Sequence, residues 1–273
     1  MSLCYKTSAM KHRGFTLIEM VIVLALIGIS SVISLRFISD MAHSQVSTTE
    51  RSQALAGARF AMERLRRELS QAYSPSVYTS NNDDGFNQCI HFVPVLAAGV
   101  YIGGVKNANA TFFMPIHLDL TGLAGAYMAV SAPSAEKNDT SVWHQYPAEL
   151  PTNVVALTPN ISTPIGEDVG FDKLFSGVIP PSPFQYESIS KRYVILFPEK
   201  ISFCLKANGE LWRERRTLEP SNNASSLMLA GIISHEIFGE YIEAFQLVTV
   251  DFTLSTQDGD LVLSSQLQVN YEP

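Results

Sequence analysis

Lys11-His12-Arg13-Gly14-Phe15-Thr16-Leu17-Ile18-Glu19 joins a basic segment to an apolar run long enough to cross a bilayer, and its reading decides the fold. Residues 1–14 carry Lys6, Lys11 and Arg13 and no acid. An excess of Lys and Arg beside an apolar helix holds that flank on the cytoplasmic side. From Phe15 to Leu35 a helix would rise roughly 30 Å, about one hydrocarbon core. Only Glu19 interrupts it. An ionised carboxylate at the centre of such a helix costs about 2.5 to 3.5 kcal/mol on insertion scales, so its position one turn from the helix start needs a reason. Negative charge is favourable near a helix N-terminus, which supplies one. A secretory signal would end its apolar core in a small-residue cleavage site, whereas here the glycine precedes the core.

The basic flank, Gly14, Phe15 and Glu19 together resemble the processing site of type IV prepilins and pseudopilins. The resemblance implies that a prepilin peptidase cuts between Gly14 and Phe15 on the cytoplasmic face and methylates the new amino terminus. It also implies that Glu19 neutralises the freed amine of Phe15, or that of a neighbouring subunit, during assembly. Three stretches narrow it: Ala58-Arg59-Phe60-Ala61-Met62-Glu63-Arg64-Leu65, Cys89-Ile90-His91-Phe92-Val93-Pro94, and the carboxyl-terminal hairpin. They look like the large minor pilin of the mannose-sensitive haemagglutinin pilus system and, more distantly, the J-type minor pseudopilin of type II secretion. Arg36 departs from the major pilins, many of which have a helix-kinking proline there. The partners implied are the prepilin peptidase, other minor and major pilins, the inner membrane and the pilus assembly platform.

Charge and cysteine usage agree with an exported, membrane-tethered domain. Removing the leader takes three basic side chains, so the formal balance moves from 19 minus 26 to 16 minus 26, or −10 before the terminal amine. No nucleic-acid surface is indicated, and the mixed run Arg213-Glu214-Arg215-Arg216 reads as a solvated strand face. Cys4 leaves with the leader, so Cys89 and Cys204 remain. Both lie in strand-like runs of a domain that export would place in an oxidising periplasm, and a disulfide between them is expected, the alternative being two separate buried thiols. Closing so long a loop would contribute up to roughly 4 to 5 kcal/mol in the chain-entropy model.

Beyond the apolar run the helix becomes amphipathic. Leu55, Ala58, Met62, Leu65, Leu69 and Ala72 recur at steps of three and four, with Arg59, Glu63, Arg66 and Arg67 off the stripe. Pro75 predicts an end near Tyr73. The period then changes to two. A hairpin is expected over Ile201 to Arg216 about Asn208-Gly209, with two positive φ angles, and another over Val248 to Val269 about Asp258-Gly259, where imperfect alternation predicts a bulge. Between Phe112 and Pro198 fall ten of the fourteen prolines with many Ser, Asn and Gly residues, which reads as a loop-rich insertion. Its cluster Trp143-His144-Gln145-Tyr146 either offers a second binding surface or, as we favour, pins a long loop to the sheet.

No assembled catalytic motif is present. There is no phosphate loop, no nucleophile elbow and no His-Glu-x-x-His helix; His235-Glu236 begins like the last, but Gly239 stands where the second histidine is needed. His43, His91, His117 and His144 are scattered and read as satisfied or exposed. Asn81-Asn82-Asp83-Asp84-Gly85 has oxygen ligands suited to calcium but lacks EF-hand spacing, and reads as a polar turn. No metal and no cofactor are expected. The whole predicts an α+β, pilin-like fold: a long N-terminal helix, membrane-spanning in its first half, packed on an antiparallel sheet. Residues 1–14 form a leader, 15–38 a transmembrane and assembly helix, and 39–273 a periplasmic globular domain with an insertion at about 112–198. Such a chain is a structural pilin and not an enzyme, held in the inner membrane and then drawn into a pilus. A pilus-associated adhesin and a type II secretion pseudopilin are the alternatives.

Overall fold

The computed structural model describes residues 15–81, 86–106, 110–115, 125–135, 142–157, 172–175 and 184–269. The chain divides into two compact units, Met1–Glu50 and Arg51–Pro273. One helix, α1 (Leu17–Leu69), begins in the first unit and ends in the second. In the second unit its apolar stripe is buried: Ala58, Ala61, Leu65 and Leu69 are fully enclosed, and Met62 nearly so. Each leucine buried in this way contributes about 1.5 to 3 kcal/mol relative to exposure. The helix stops four residues before Tyr73. Ser70 to Ala72 make one more turn, and Tyr73 then gives its N–H to Val93 O at 2.8 Å instead of continuing the helical ladder. Pro75 opens a 3-10 turn over Ser74–Ser76.

Among the described residues the strands β1 (Tyr78–Asn81) and β2 (Phe86–Phe92) come next. The middle of the chain holds β3 (Val95–Ile102), β4 (Thr111–Pro115), β5 (Tyr127–Ala129), β6 (Val154–Ala156), β7 (Asp172–Phe175) and β8 (Arg192–Leu196). The last part holds β9 (Glu199–Lys206), β10 (Leu211–Thr217), β11 (Ala224–Leu229), β12 (Leu247–Thr256) and β13 (Gly259–Gln268). An antiparallel five-stranded sheet runs β1-β2-β9-β10-β11, and β12 and β13 form a separate hairpin. Alternation along β2 and β9 turns Ile90, Phe92, Ile201, Phe203 and Leu205 into one core with the α1 stripe, to which Val248, Val250, Phe252, Leu254 and Leu267 of the hairpin also belong. The architecture is α+β and pilin-like: a long N-terminal helix with antiparallel sheets.

Glu68, on the buried side of α1, pairs with Arg64 one turn earlier and receives Arg213 Nε of β10 at 2.9 Å on each oxygen. Arg215 approaches Glu199 at 3.7 Å. Part of the arginine run therefore ties β10 to its neighbours. Gln88 of β2 holds the irregular segment before β12: its Oε1 accepts the N–H groups of Ile237 and Phe238 at 2.7 and 2.8 Å, and its Nε2 donates to Phe238 O at 2.7 Å.

Both expected hairpins form, with different turns. At Asn208-Gly209 only Gly209 has positive φ, +77°, and Lys206 N–H meets Glu210 O, so the loop has three residues ending on a left-handed glycine. In β12–β13, Gly259 carries the positive φ, +117°, and pairs with Thr256, leaving Gln257 and Asp258 at the centre of the turn. The bulge expected beyond it is absent. The register runs without a break from Leu247↔Gln268 to Thr256↔Gly259.

The largest departure is the insertion. It leaves the sheet at Val95, earlier than the proline density suggests, and its six strands form a sheet in the order β6-β5-β8-β3-β4-β7. This sheet has its own core of Tyr101, Phe112, Met128, Tyr193 and Ile195. A third cluster joins it to the end of α1 and the start of β1: Tyr73 and Tyr78 meet Tyr127, Trp143, Tyr146, Val194 and Leu196. Trp143 gives its indole N–H to Pro133 O at 2.9 Å, and Tyr146 its hydroxyl to Phe197 O at 2.6 Å. Trp143 and Tyr146 are packed inside and pin the loop that carries them.

Candidate functional site

In the first unit the described residues begin at Phe15, which is exposed; Gly14 lies outside them. Thr16 is the residue before the first helical position. Its Oγ1 accepts the backbone N–H of Glu19 at 3.3 Å, and its carbonyl accepts those of Glu19 and Met20 at 3.1 and 3.2 Å. Thr16-Leu17-Ile18-Glu19 thus has the Ser/Thr-x-x-Glu form of a capping box, with the hydroxyl meeting one of the amides that a helix start leaves without a partner. The cap puts Glu19 in the first turn, where the helix dipole favours its charge.

From Met20 to Leu35 no side chain is charged. Leu17, Ile18, Met20, Leu24, Ile29 and Leu35 are among the large apolar side chains exposed around the whole circumference. The most apolar window of α1 has a mean hydropathy of 2.4 and none of it is buried. By length and composition this is a helix able to cross a membrane. Ser31, within it, gives its hydroxyl to Ile27 O at 2.7 Å and so needs no water.

In the second unit the face of the five-stranded sheet turned away from α1 is polar, and over β1, β2 and β9 it is buried. Cys89 and Cys204 stand opposite each other in register on β2 and β9 and are joined by a disulfide. Two residues along, His91 is enclosed, with Ser80 Oγ 2.8 Å from Nε2 and Ser202 Oγ 2.7 Å from Nδ1. A hydroxyl can donate to one nitrogen and accept from the other, so the neutral ring is fully satisfied. Burial holds its pKa well below the usual histidine value, and Lys200 and Arg216 add to the effect. Tyr78 stacks on the ring, with centroids 4.6 Å apart. Lys200, almost wholly buried, donates to His144 O at 2.6 Å and to the Tyr78 hydroxyl at 3.3 Å. Burial also pushes the Tyr73 hydroxyl up to about 12 and that of Tyr146 well above its usual value.

This layer is built for cohesion. Among the described residues no three His, Cys, Asp or Glu side chains gather in a group able to hold a metal ion. His235 and Glu236 are exposed and not helical, which removes the zinc-helix reading. Most of the turn Asn81-Asn82-Asp83-Asp84-Gly85 lies outside the described residues, as does His117. The Thr16 cap and the buried Lys200 are the residues that sequence reading misses. Thr16 could have been found from its spacing to Glu19. Lys200 could not, since a lysine in an alternating strand ordinarily marks a solvent face.

No curated protein and no solved structure matches the chain. Residues 9–35 match the family model of the prokaryotic N-terminal methylation motif, which spans the basic flank, Gly14, Phe15, the Thr16 cap, Glu19 and the uncharged helix. That motif supports a type IV pilin- or pseudopilin-like protein, structural rather than catalytic.

Proposed function

We propose that this chain is a minor pilin, a structural subunit assembled into a type IV pilus or its priming complex, of the kind found in mannose-sensitive haemagglutinin systems. The methylation motif carries the reading. A prepilin peptidase cuts between Gly14 and Phe15, and the new amine of Phe15 is methylated. Residues 15–38 anchor the chain in the inner membrane, with the remainder in the periplasm, until the assembly platform and the other pilins draw it into the filament. The uncharged, wholly exposed helix surface from Met20 to Leu35 supports this, because such a surface has no place in water. The Cys89–Cys204 disulfide supports an oxidising compartment.

Glu19 is given the assembly role. Its carboxylate sits one turn from Phe15, within reach of a terminal amine in a medium where an unpaired charge is costly. The mass of the mature amino terminus tests processing: a chain beginning with N-methylated Phe15 is expected. A terminus at Met1 in cells with an active peptidase overturns the reading. Glu19→Ala is expected to leave cleavage intact and to lower incorporation into filaments.

A further inference from the structure

The two outer edges of the β12–β13 hairpin are treated differently. Val269 N–H donates to Gln246 O at 2.8 Å, so stepping back by two turns the backbone groups of Leu267, Ser265, Leu263 and Leu261 toward β12. Those of Gln268, Gln266, Ser264, Val262 and Asp260 point outward. Several of the matching outward groups of β12 are met: Asp251 N–H reaches Ile237 O at 2.9 Å, Gly239 N–H reaches Thr249 O at 2.8 Å, and Ile233 N–H reaches Thr253 O at 2.8 Å. The outward groups of β13 have no partner among the described residues, and all five residues are exposed.

Nothing in β13 guards this edge. Gly259–Gln268 has no Lys, no Pro and no break in register, and its one charge, Asp260, lies beside the turn. Those are the devices by which an edge strand refuses another strand. Beside it runs a groove of about 370 Å³ between Arg59, Met62, Glu63 and Arg66 of α1 and Leu263, Ser264 and Ser265 of β13. Arg66 donates to Ser265 Oγ at 3.1 Å and approaches Glu63 at 4.0 Å, while Arg59 has no hydrogen bond or ion pair among the described residues. The groove is therefore apolar at Met62 and Leu263, and its rim is net positive, with Arg59 and Arg66 against the one carboxylate of Glu63.

We infer that β13 is a docking edge for an extended, acidic segment of another polypeptide, which adds as a strand and sets a carboxylate against Arg59. The backbone edge requires an extended partner. The rim selects its charge, because a second copy docked by the same edge would bring arginines against arginines. The inference does not depend on the pilin reading, and the two fail separately.

The test uses the full chain in detergent and a fluorescent peptide of about ten residues, alternating Val and Thr with a central Glu. Ser264→Pro removes an outward N–H, a change that an edge strand tolerates, and a far-ultraviolet circular dichroism spectrum and denaturation midpoint like those of the parent chain report folding. Saturable binding is expected, weakened by about tenfold or more by Ser264→Pro, by N-methylation of alternate peptide amides, and by exchange of the central Glu for Lys. Arg59→Glu should reverse the preference between the Glu and Lys peptides. Absence of binding, or equal binding by Ser264→Pro or by the N-methylated peptide, overturns the inference. Self-association that Ser264→Pro abolishes would make a second copy the occupant and overturn the assignment of an acidic partner.

Discussion

His91 has both ring nitrogens within hydrogen-bond distance of serine hydroxyls, a tyrosine stacked on its face and a buried lysine nearby. Burial and the positive charges of Lys200 and Arg216 favour the neutral ring, and its folded pKa is held well below its unfolded value near 6.5. Stability from this group is complete above that unfolded value. It is lost as the pH falls, because the unfolded chain takes up a proton that the folded one refuses, at up to about 1.4 kcal/mol per pH unit. Denaturant titrations with the disulfide intact, between about pH 6.5 and 5, should show a flatter fall in stability for His91→Asn than for the parent chain. Equal slopes would mean that His91 carries none of the acid sensitivity. At this scale the residues legible in advance were those whose chemistry is local. Glu19 stands out against an uncharged run, and Cys89 and Cys204 stand out by elimination once the leader is set aside. The burial of His91 and Lys200 depends on which strands become neighbours, and residues more than a hundred positions apart do not announce that.

Among the elements, α1 was legible because its stripe repeats at helical spacing, although it ends at Leu69, six residues ahead of Pro75. The hairpins were legible in place but not in geometry. An Asn-Gly pair suggests two positive φ angles, yet the flanking register admits a three-residue loop in which only Gly209 is left-handed. That glycine has a second constraint: Ile232 N–H donates to its carbonyl at 3.0 Å, and a Cβ at 209 would overlap the Ile232 carbonyl oxygen. Gly209→Ala therefore meets both a disfavoured backbone conformation and a backbone clash where the segment after β11 crosses the turn. A loss of about 2 kcal/mol or more is expected, read as a lower denaturation midpoint at unchanged slope. At Gly231, also left-handed but with open space around it, alanine should cost about 1 kcal/mol through conformation alone. Equal losses at the two positions would rule out the Ile232 contact as a cause. The six-stranded sheet was the element least legible in sequence. Proline density marks where the chain turns, but β3 contains no proline and reads as a continuation of β2, and β5 and β6 are only three residues each.

For the molecule as a whole, the topology gives the disulfide its meaning. The insertion leaves the sheet after β2 and returns into β9, strands that lie side by side with Phe92 opposite Ile201. Cys89 and Cys204 close the same pair of strands three residues further in, across a sequence separation of 115. In the unfolded chain the bond removes the freedom of a loop that includes every strand of the insertion, an effect of up to roughly 4 to 5 kcal/mol in the chain-entropy model. Because Tyr73 and Tyr78 pack with Trp143 and Tyr146, the insertion and the five-stranded sheet should lose that support together. The two tryptophans allow this to be seen: Trp143 lies in the insertion and Trp212 on β10. In a Trp212→Phe background, Trp143 fluorescence reports the insertion while far-ultraviolet circular dichroism reports all strands. Replacing both cysteines by serine should move both transitions to lower denaturant and keep them coincident. An unchanged midpoint would show that the bond contributes nothing to the fold. A shift in the Trp143 signal alone would show that the aromatic cluster does not couple the insertion to the sheet that carries it.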